Sequence, residues 1–119
     1  MEKELLNNVL QIQSQVKVLH WQTESYAEHN AFGMTYDTLD DLFDQIIEVY
    51  SGKYGRPKFD GMKNIALADY ENIKVDAFID GALNFFENAF MAESDSELGN
   101  ICDEIKAALD KLKYLLTLK

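Results

Sequence analysis

One cysteine, one proline and two histidines are all that a chain of 119 residues holds of the types that most often carry cross-links, chain reversals and metal or proton chemistry. The lone Cys102 has no partner for an internal disulfide and no companions for a thiolate zinc site, so it is expected as a small buried helix residue. Long apolar runs are missing as well. No stretch approaches the roughly 20 residues that span a bilayer, and the opening MEKELLNN has no apolar stretch of signal-peptide type, so a soluble, cytoplasmic protein is expected. Basic residues are scarce: 11 Lys and Arg stand against 21 Asp and Glu, for a net charge of -10. That balance repels phosphate backbones, and with no Lys/Arg-rich arm at either end direct nucleic-acid binding is not expected.

What the chain does have is material for a core. Hydrophobic residues make up 47% and charged residues 27%, which excludes wholesale disorder, and the length suits one domain over 1–119. Three of the six glycines (52, 55 and 61) and the only proline (57) fall within ten residues, marking the main irregular segment. Before it, Leu5, Val9, Ile12, Val16 and Leu19 follow one helix face, and Phe32, Tyr36, Leu39, Phe43, Ile46 and Tyr50 follow another. After it, Val75, Ile79, Ala82, Phe86 and Ala89 form a third stripe, and Leu98, Ile101, Ile105, Ala108, Leu112 and Leu115 a fourth. No segment alternates apolar and polar residues as a half-buried strand does. The pattern predicts an all-α, four-helix bundle with helices at about 2–23, 27–51, 75–92 and 95–118, the last opened by a Ser94/Glu97 capping box. The joints after the first and third helices are short, whereas the segment from about 52 to 74 is long enough to travel the length of the bundle. One long crossover between helices two and three is the ferritin-like arrangement.

The two histidines, His20 and His29, both lie near the first joint. At 100° per residue His20 falls about 60° from the centre of its apolar stripe, at the edge, where a side chain is half-buried. Helix two carries His29, Asp37, Asp40, Asp41, Asp44 and Glu48, most of them on one flank, with Asp44 and Glu48 one turn apart. Carboxylates stacked in this way repel, and a cation relieves the cost. Imidazole with carboxylate suits iron, manganese or zinc. The competing reading is a solvated acidic face. The Glu-x-x-His pattern of di-iron bundles is absent, because Lys17 and Tyr26 stand three residues before His20 and His29, which disfavours a metal centre inside the bundle. A metal held on this flank would take ligands from a second subunit, and that predicts a symmetric oligomer.

His20-Trp21, then His29, then Asp44 and Glu48 four apart on one helix resemble the ferroxidase segment of the Dps family, the mini-ferritins also called DNA-binding proteins from starved cells. The match covers about 30 residues and needs only a shorter loop, by about three residues, between the histidines. The segments HWQTESYAEH and YSGKYGRP are similar to small ferritin-like proteins encoded by bacteriophages. The Dps resemblance implies a shell of identical subunits, twelve in number, with sites shared across two-fold interfaces: His20 and His29 from one subunit, Asp44 and Glu48 from its mate. It implies that iron(II) binds there, is oxidised by hydrogen peroxide or oxygen and is stored or detoxified as ferric mineral. Trp21 would take up stray oxidising equivalents, the alternative for it being burial at a helix end.

The sequence departs from the family pattern at Gly33, where an Asp ligand is expected one turn after the second histidine. Asp37 is the nearest carboxylate to stand in, through a water. The departure leaves open a single weakly held metal, a different metal, or none, and with none the bundle is a metal-free structural or protein-interaction scaffold. The reduced crossover and the lack of a tail after Lys119 also leave shell closure open. Lys53, Arg56, Lys58, Lys63 and Lys74, with Tyr54 and Phe59 among them, read either as a solvated loop balancing an acidic bundle or as a contact for an acidic partner or neighbouring subunit. Phe85 lies off the stripe of helix three and is a candidate interface residue.

Overall fold

Leu5, Val9, Ile12, Val16 and Leu19 are all buried, and they form the inner face of α1 (Leu5–Gln22) in the computed structural model, which describes residues 4–59, 64–89 and 95–118. The second stripe becomes α2 (Tyr26–Tyr54), the third α3 (Val75–Asn88) and the fourth α4 (Ser96–Leu115), with a single 3-10 turn at Tyr70–Asn72 and no strand among the described residues. Period 3.6 governs the burial of the apolar residues, because the inward stripe of each helix is the face that packs on its neighbours. α1 packs on α2, α2 on α4, and α3 on α4. Phe43 and Phe86 stack at 5.7 Å between ring centroids, and Phe85 meets Phe86 edge-on at 4.9 Å, so the aromatic centre of the core joins α2 to α3. Phe85 is thus partly buried against the core. No helix among the described residues is long and apolar enough to cross a membrane.

The first joint falls where the turn residues are. Thr23 turns extended after α1, and Ser25 caps α2 by accepting from the amide of Glu28 at 3.2 Å. The second helix runs three residues past its expected end. Gly52 stays helical with open space where a side chain would stand, and the stop comes at Gly55, whose φ of 94° suits a residue without a side chain; Pro57 then bars a return to helix. Lys53 therefore belongs to α2, where it pairs with Asp95 at 3.1 Å and with Glu97, and is no part of a basic loop. Asp95 is the cap of α4, its carboxylate accepting from the amide of Leu98 and from Tyr54. The expected cap, Ser94, lies outside the described residues, as does Lys63. α3 stops at Asn88 rather than 92, because Ala89 is extended.

The crossover is a strap laid along α1. Asn7 donates to the carbonyl of Asn64, Gln15 bonds both the carbonyl and the amide of Ala68, and Gln22 bonds the side chain of Asp69 and the amide of Tyr70. Because the order of partners follows the order along α1, strap and helix run parallel, and α3 starts beside the end of α1. Asn7 and Gln15 are buried, a position open to amides only because the strap's backbone satisfies them. Every buried side-chain polar atom among the described residues has a partner.

Candidate functional site

The end of α1 and the start of α2 bring the two histidines together. Their rings stack with centroids 3.9 Å apart and planes 17° from parallel. Nδ1 of His20 lies 2.7 Å from the carbonyl oxygen of His29, and Nδ1 of His29 lies 2.8 Å from the carbonyl oxygen of His20. A carbonyl only accepts, so each Nδ1 is the donor and each Nε2 of the neutral pair keeps its lone pair. Neither Nε2 has a hydrogen-bond partner among the described residues. The clasp also serves the fold: the carbonyl of His20 is in the last turn of α1, where the helix itself supplies no donor. Both side chains are half-buried, as the edge position of His20 predicts.

Beneath the clasp the chain is tied down. The amide of Ser25 donates to the Thr23 hydroxyl, that hydroxyl donates to the carboxylate of Glu28 at 2.6 Å, and the Tyr70 hydroxyl donates to the same oxygen at 2.7 Å. Its hydrogen bond to the Glu28 carboxylate, with burial, holds the Tyr70 hydroxyl above the ordinary phenol value. The strap is thereby fixed to the joint that carries the histidines.

Three further pairings run down the α1–α2 seam. A side chain added at Gly33 would meet the ring of His20, Lys17 sits 4.4 Å from the ring centre of Tyr36, and Gln13 donates to Asp40 at 2.6 Å. Lys17 also lies 5.5 Å from the ring centre of Trp21. Trp21 is 68% exposed and Tyr26 is 78% exposed. The burial reading of Trp21 is therefore corrected: its position falls on the outer face of α1, about 160° from the core stripe. Asp37, Asp40, Asp41, Asp44 and Glu48 are all exposed.

Within one chain these carboxylates do not meet the histidines. Asp44 and Glu48 follow His29 by fifteen and nineteen residues on one unbroken helix, which sets them about 22 and 28 Å away along its axis. No group of three or more His, Cys, Asp or Glu gathers into a metal-binding cluster among the described residues. The chain thus contributes two imidazole nitrogens at one end of α2 and a carboxylate pair nearer the other. An acidic groove lined by Glu24, Glu28, Asp69 and Glu71 opens beside the histidine joint. Sequence reasoning passed over Tyr70, Glu28 and the amides of Asn7, Gln15 and Gln22; the only signal for the amides was their shared face on α1.

The chain is similar to an uncharacterized 14.6 kDa protein in the mobD-ri intergenic region of Enterobacteria phage T4, 27% identical over 117 residues that cover 98% of this chain and 88% of the phage protein. A phage relative is in keeping with the phage-encoded proteins that two segments of the sequence resemble. No solved structure matches the chain. The profile described as "Family of unknown function (DUF5856)" matches residues 20–116, a span that runs from His20 and includes His29, Asp44 and Glu48. The chain belongs to this family of unknown function.

Proposed function

We propose that the chain is a Dps-like, ferritin-like iron-binding protein of the cytoplasm, in which two copies complete a site that oxidises iron(II) with hydrogen peroxide or oxygen and so stores or detoxifies iron. The observation that carries this reading is the reciprocal clasp of His20 and His29. Ligating histidines characteristically donate one ring N–H to a carbonyl or carboxylate and offer the other nitrogen to the ion, and both rings here are held in that state.

The spacing on α2 supports a shared site. The midpoint between His29 and Asp44 falls between residues 36 and 37 and that between His29 and Glu48 between residues 38 and 39, so a two-fold axis crossing α2 near Asp37 would set His29 beside Asp44 and Glu48 of the partner subunit. The exposed Leu10 and Trp21 of α1 and Tyr26 of α2 give that outer face apolar surface to cover. A strap parallel to α1 gives the order of four helices that a ferritin-like arrangement needs. Larger assembly, up to the dodecamer that the resemblance implies, builds on this pair, and iron(II) enters as the substrate, with manganese or zinc as competing ions. The charge of -10 keeps nucleic acid off the surface.

The test is native mass spectrometry of protein purified with iron(II), followed by oxidation kinetics. The expected result is an even-numbered assembly carrying iron in proportion to its two-fold interfaces, with oxidation faster than in buffer. In the His20→Ala/Glu48→Ala double variant the excess rate vanishes. Equal rates for the two proteins would refute the ferroxidase.

A second reading has its own observation. The place of the Asp ligand in the Dps pattern is taken by Gly33, and no three ligands gather among the described residues of one chain, as fits a metal-free structural or protein-interaction bundle. Thermal melts separate the two, since an ion at 100 times its dissociation constant adds about 2.7 kcal/mol. A metal-independent melting temperature favours the scaffold.

A further inference from the structure

We propose that Gly33 is the positioning residue of the histidine pair. By having no side chain it lets the ring of His20 lie against α2, where the two backbone carbonyls lock both histidines as Nδ1–H tautomers with Nε2 unprotonated. The consequence for metal binding rests on the function proposed above; the tautomers and the role of Gly33 do not.

Glycine inside a helix asks for a reason, because it costs stability relative to alanine. Backbone conformation is not that reason here. α2 is continuous through residue 33, and the one glycine with positive φ in the described chain is Gly55. Space is the reason. A Cβ at residue 33 would stand 2.9 Å from Cε1 of His20, closer than real Cβ contacts come, and 3.1 Å from its Nδ1, tighter than most of them. The atom it would strike first is Cε1, and bonded to that carbon is the nitrogen that makes the 2.7 Å bond to the carbonyl of His29. The ring of His29, stacked on that of His20 with centroids 3.9 Å apart, limits where His20 can go. Pushing His20 off α2 therefore parts both the stack and the first bond. The second bond follows, because His29 reaches the carbonyl of His20 by lying against that same ring.

A free histidine passes its hydrogen between the two nitrogens, and the partner of one decides the state of the other. In this pair each residue supplies the other's partner from its own backbone, so the two tautomers are fixed together. A side chain at 33, including the carboxylate that the family pattern would place there, excludes the clasp. The chain has the clasp. The donors of the clasp itself are then two imidazole nitrogens, a set that takes borderline divalent ions such as iron(II), zinc or cobalt and passes over magnesium and calcium.

Long-range proton–nitrogen correlation spectra of the full-length, metal-free protein, labelled at histidine with 15N and held at pH 8, test this directly. Both histidines are expected to show the Nδ1–H pattern; an Nε2–H pattern or a fast-exchanging mixture at either one overturns the proposal. Gly33→Ala is expected to abolish the pattern at both rings while the backbone amide spectrum stays helical, and persistence of both patterns in that variant overturns the role of Gly33. Where Gly33→Ala folds poorly, the Gly33→Ala/His20→Ala double variant decides the same point, since its added methyl meets no ring. It should melt at least as high as His20→Ala alone, and a lower melting temperature refutes a clash with His20. Zinc titration of the wild type is expected to move both Nε2 resonances, with affinity about ten- to a hundredfold weaker in Gly33→Ala. Nδ1–H patterns that do not respond to zinc leave the clasp standing and refute the metal site.

Discussion

Gln15 and Ala68 exchange two hydrogen bonds: the side-chain amide donates to the carbonyl of Ala68 at 2.9 Å and accepts from its N–H at 2.8 Å. A single buried side chain thus pairs with the strap as a neighbouring strand would, and fixes its register on α1.

Replacing Gln15 by Leu is expected to cost about 2 kcal/mol, because both backbone groups of Ala68 then lose their partner in a partly dry place. Gln13→Ala, which removes the exposed bond to Asp40, should stay within about 0.5 kcal/mol of wild type. Urea midpoints measure both. Equal losses would mean that the strap is held by something other than this pair.

Acid should weaken the α2–α4 corner first. The Tyr54 hydroxyl, the Leu98 amide and Lys53 hold the Asp95 carboxyl below its ordinary value near 3.8. A carboxyl whose folded-state value is depressed contributes stability that is fully present above its unfolded value and is lost as pH falls through the folded one. Melting temperatures recorded from pH 6 to pH 3 should therefore fall less steeply for Asp95→Asn, which can still cap the helix, than for wild type. Parallel curves would show that Asp95 has no such linkage.

Burial pushes the Cys102 thiol up to about 11, so almost none of it is thiolate at pH 8. A colourless-to-yellow disulfide reagent at that pH should react with native protein far more slowly than with protein in denaturant, at a rate limited by opening of α4. Native reactivity equal to the denatured rate would place the thiol at the surface.

Trp21 is the sole tryptophan and is mostly exposed in one chain. Its emission at high dilution should resemble that of indole in water and be strongly quenched by iodide. Raising the protein concentration should shift the emission to the blue and protect it, if copies pair over the outer face of α1 and α2. A blue, protected emission at every dilution would count against exposure in the single chain.

The helices were legible because burial repeats with the helical period: every residue of the first stripe is buried. Their ends were less so. Gly52 and Gly55 look alike in the sequence, and only a backbone that turns left-handed at the second distinguishes the one that stops α2. The strap was invisible, since Asn7, Gln15 and Gln22 resemble any polar helix residues until a passing backbone bonds to them. Scarcity made His20 and His29 conspicuous, whereas the purpose of Gly33 depends on where a ring thirteen residues earlier comes to rest. Trp21 misled because apolar character says nothing of which face is covered.

The strap also bears on how the chain reaches this form. α1 with α2, and α3 with α4, make contacts between neighbours in sequence, which can form early. The strap's bonds join residues separated by 57, 53 and 48 positions, and closing loops of that size costs entropy that no nearby contact repays in advance. The two hairpins are therefore expected to assemble first and the strap to dock on α1 afterwards. Because Tyr70 reaches Glu28 only when that docking is done, the strap's tie to the corner that holds the histidines is expected to close last.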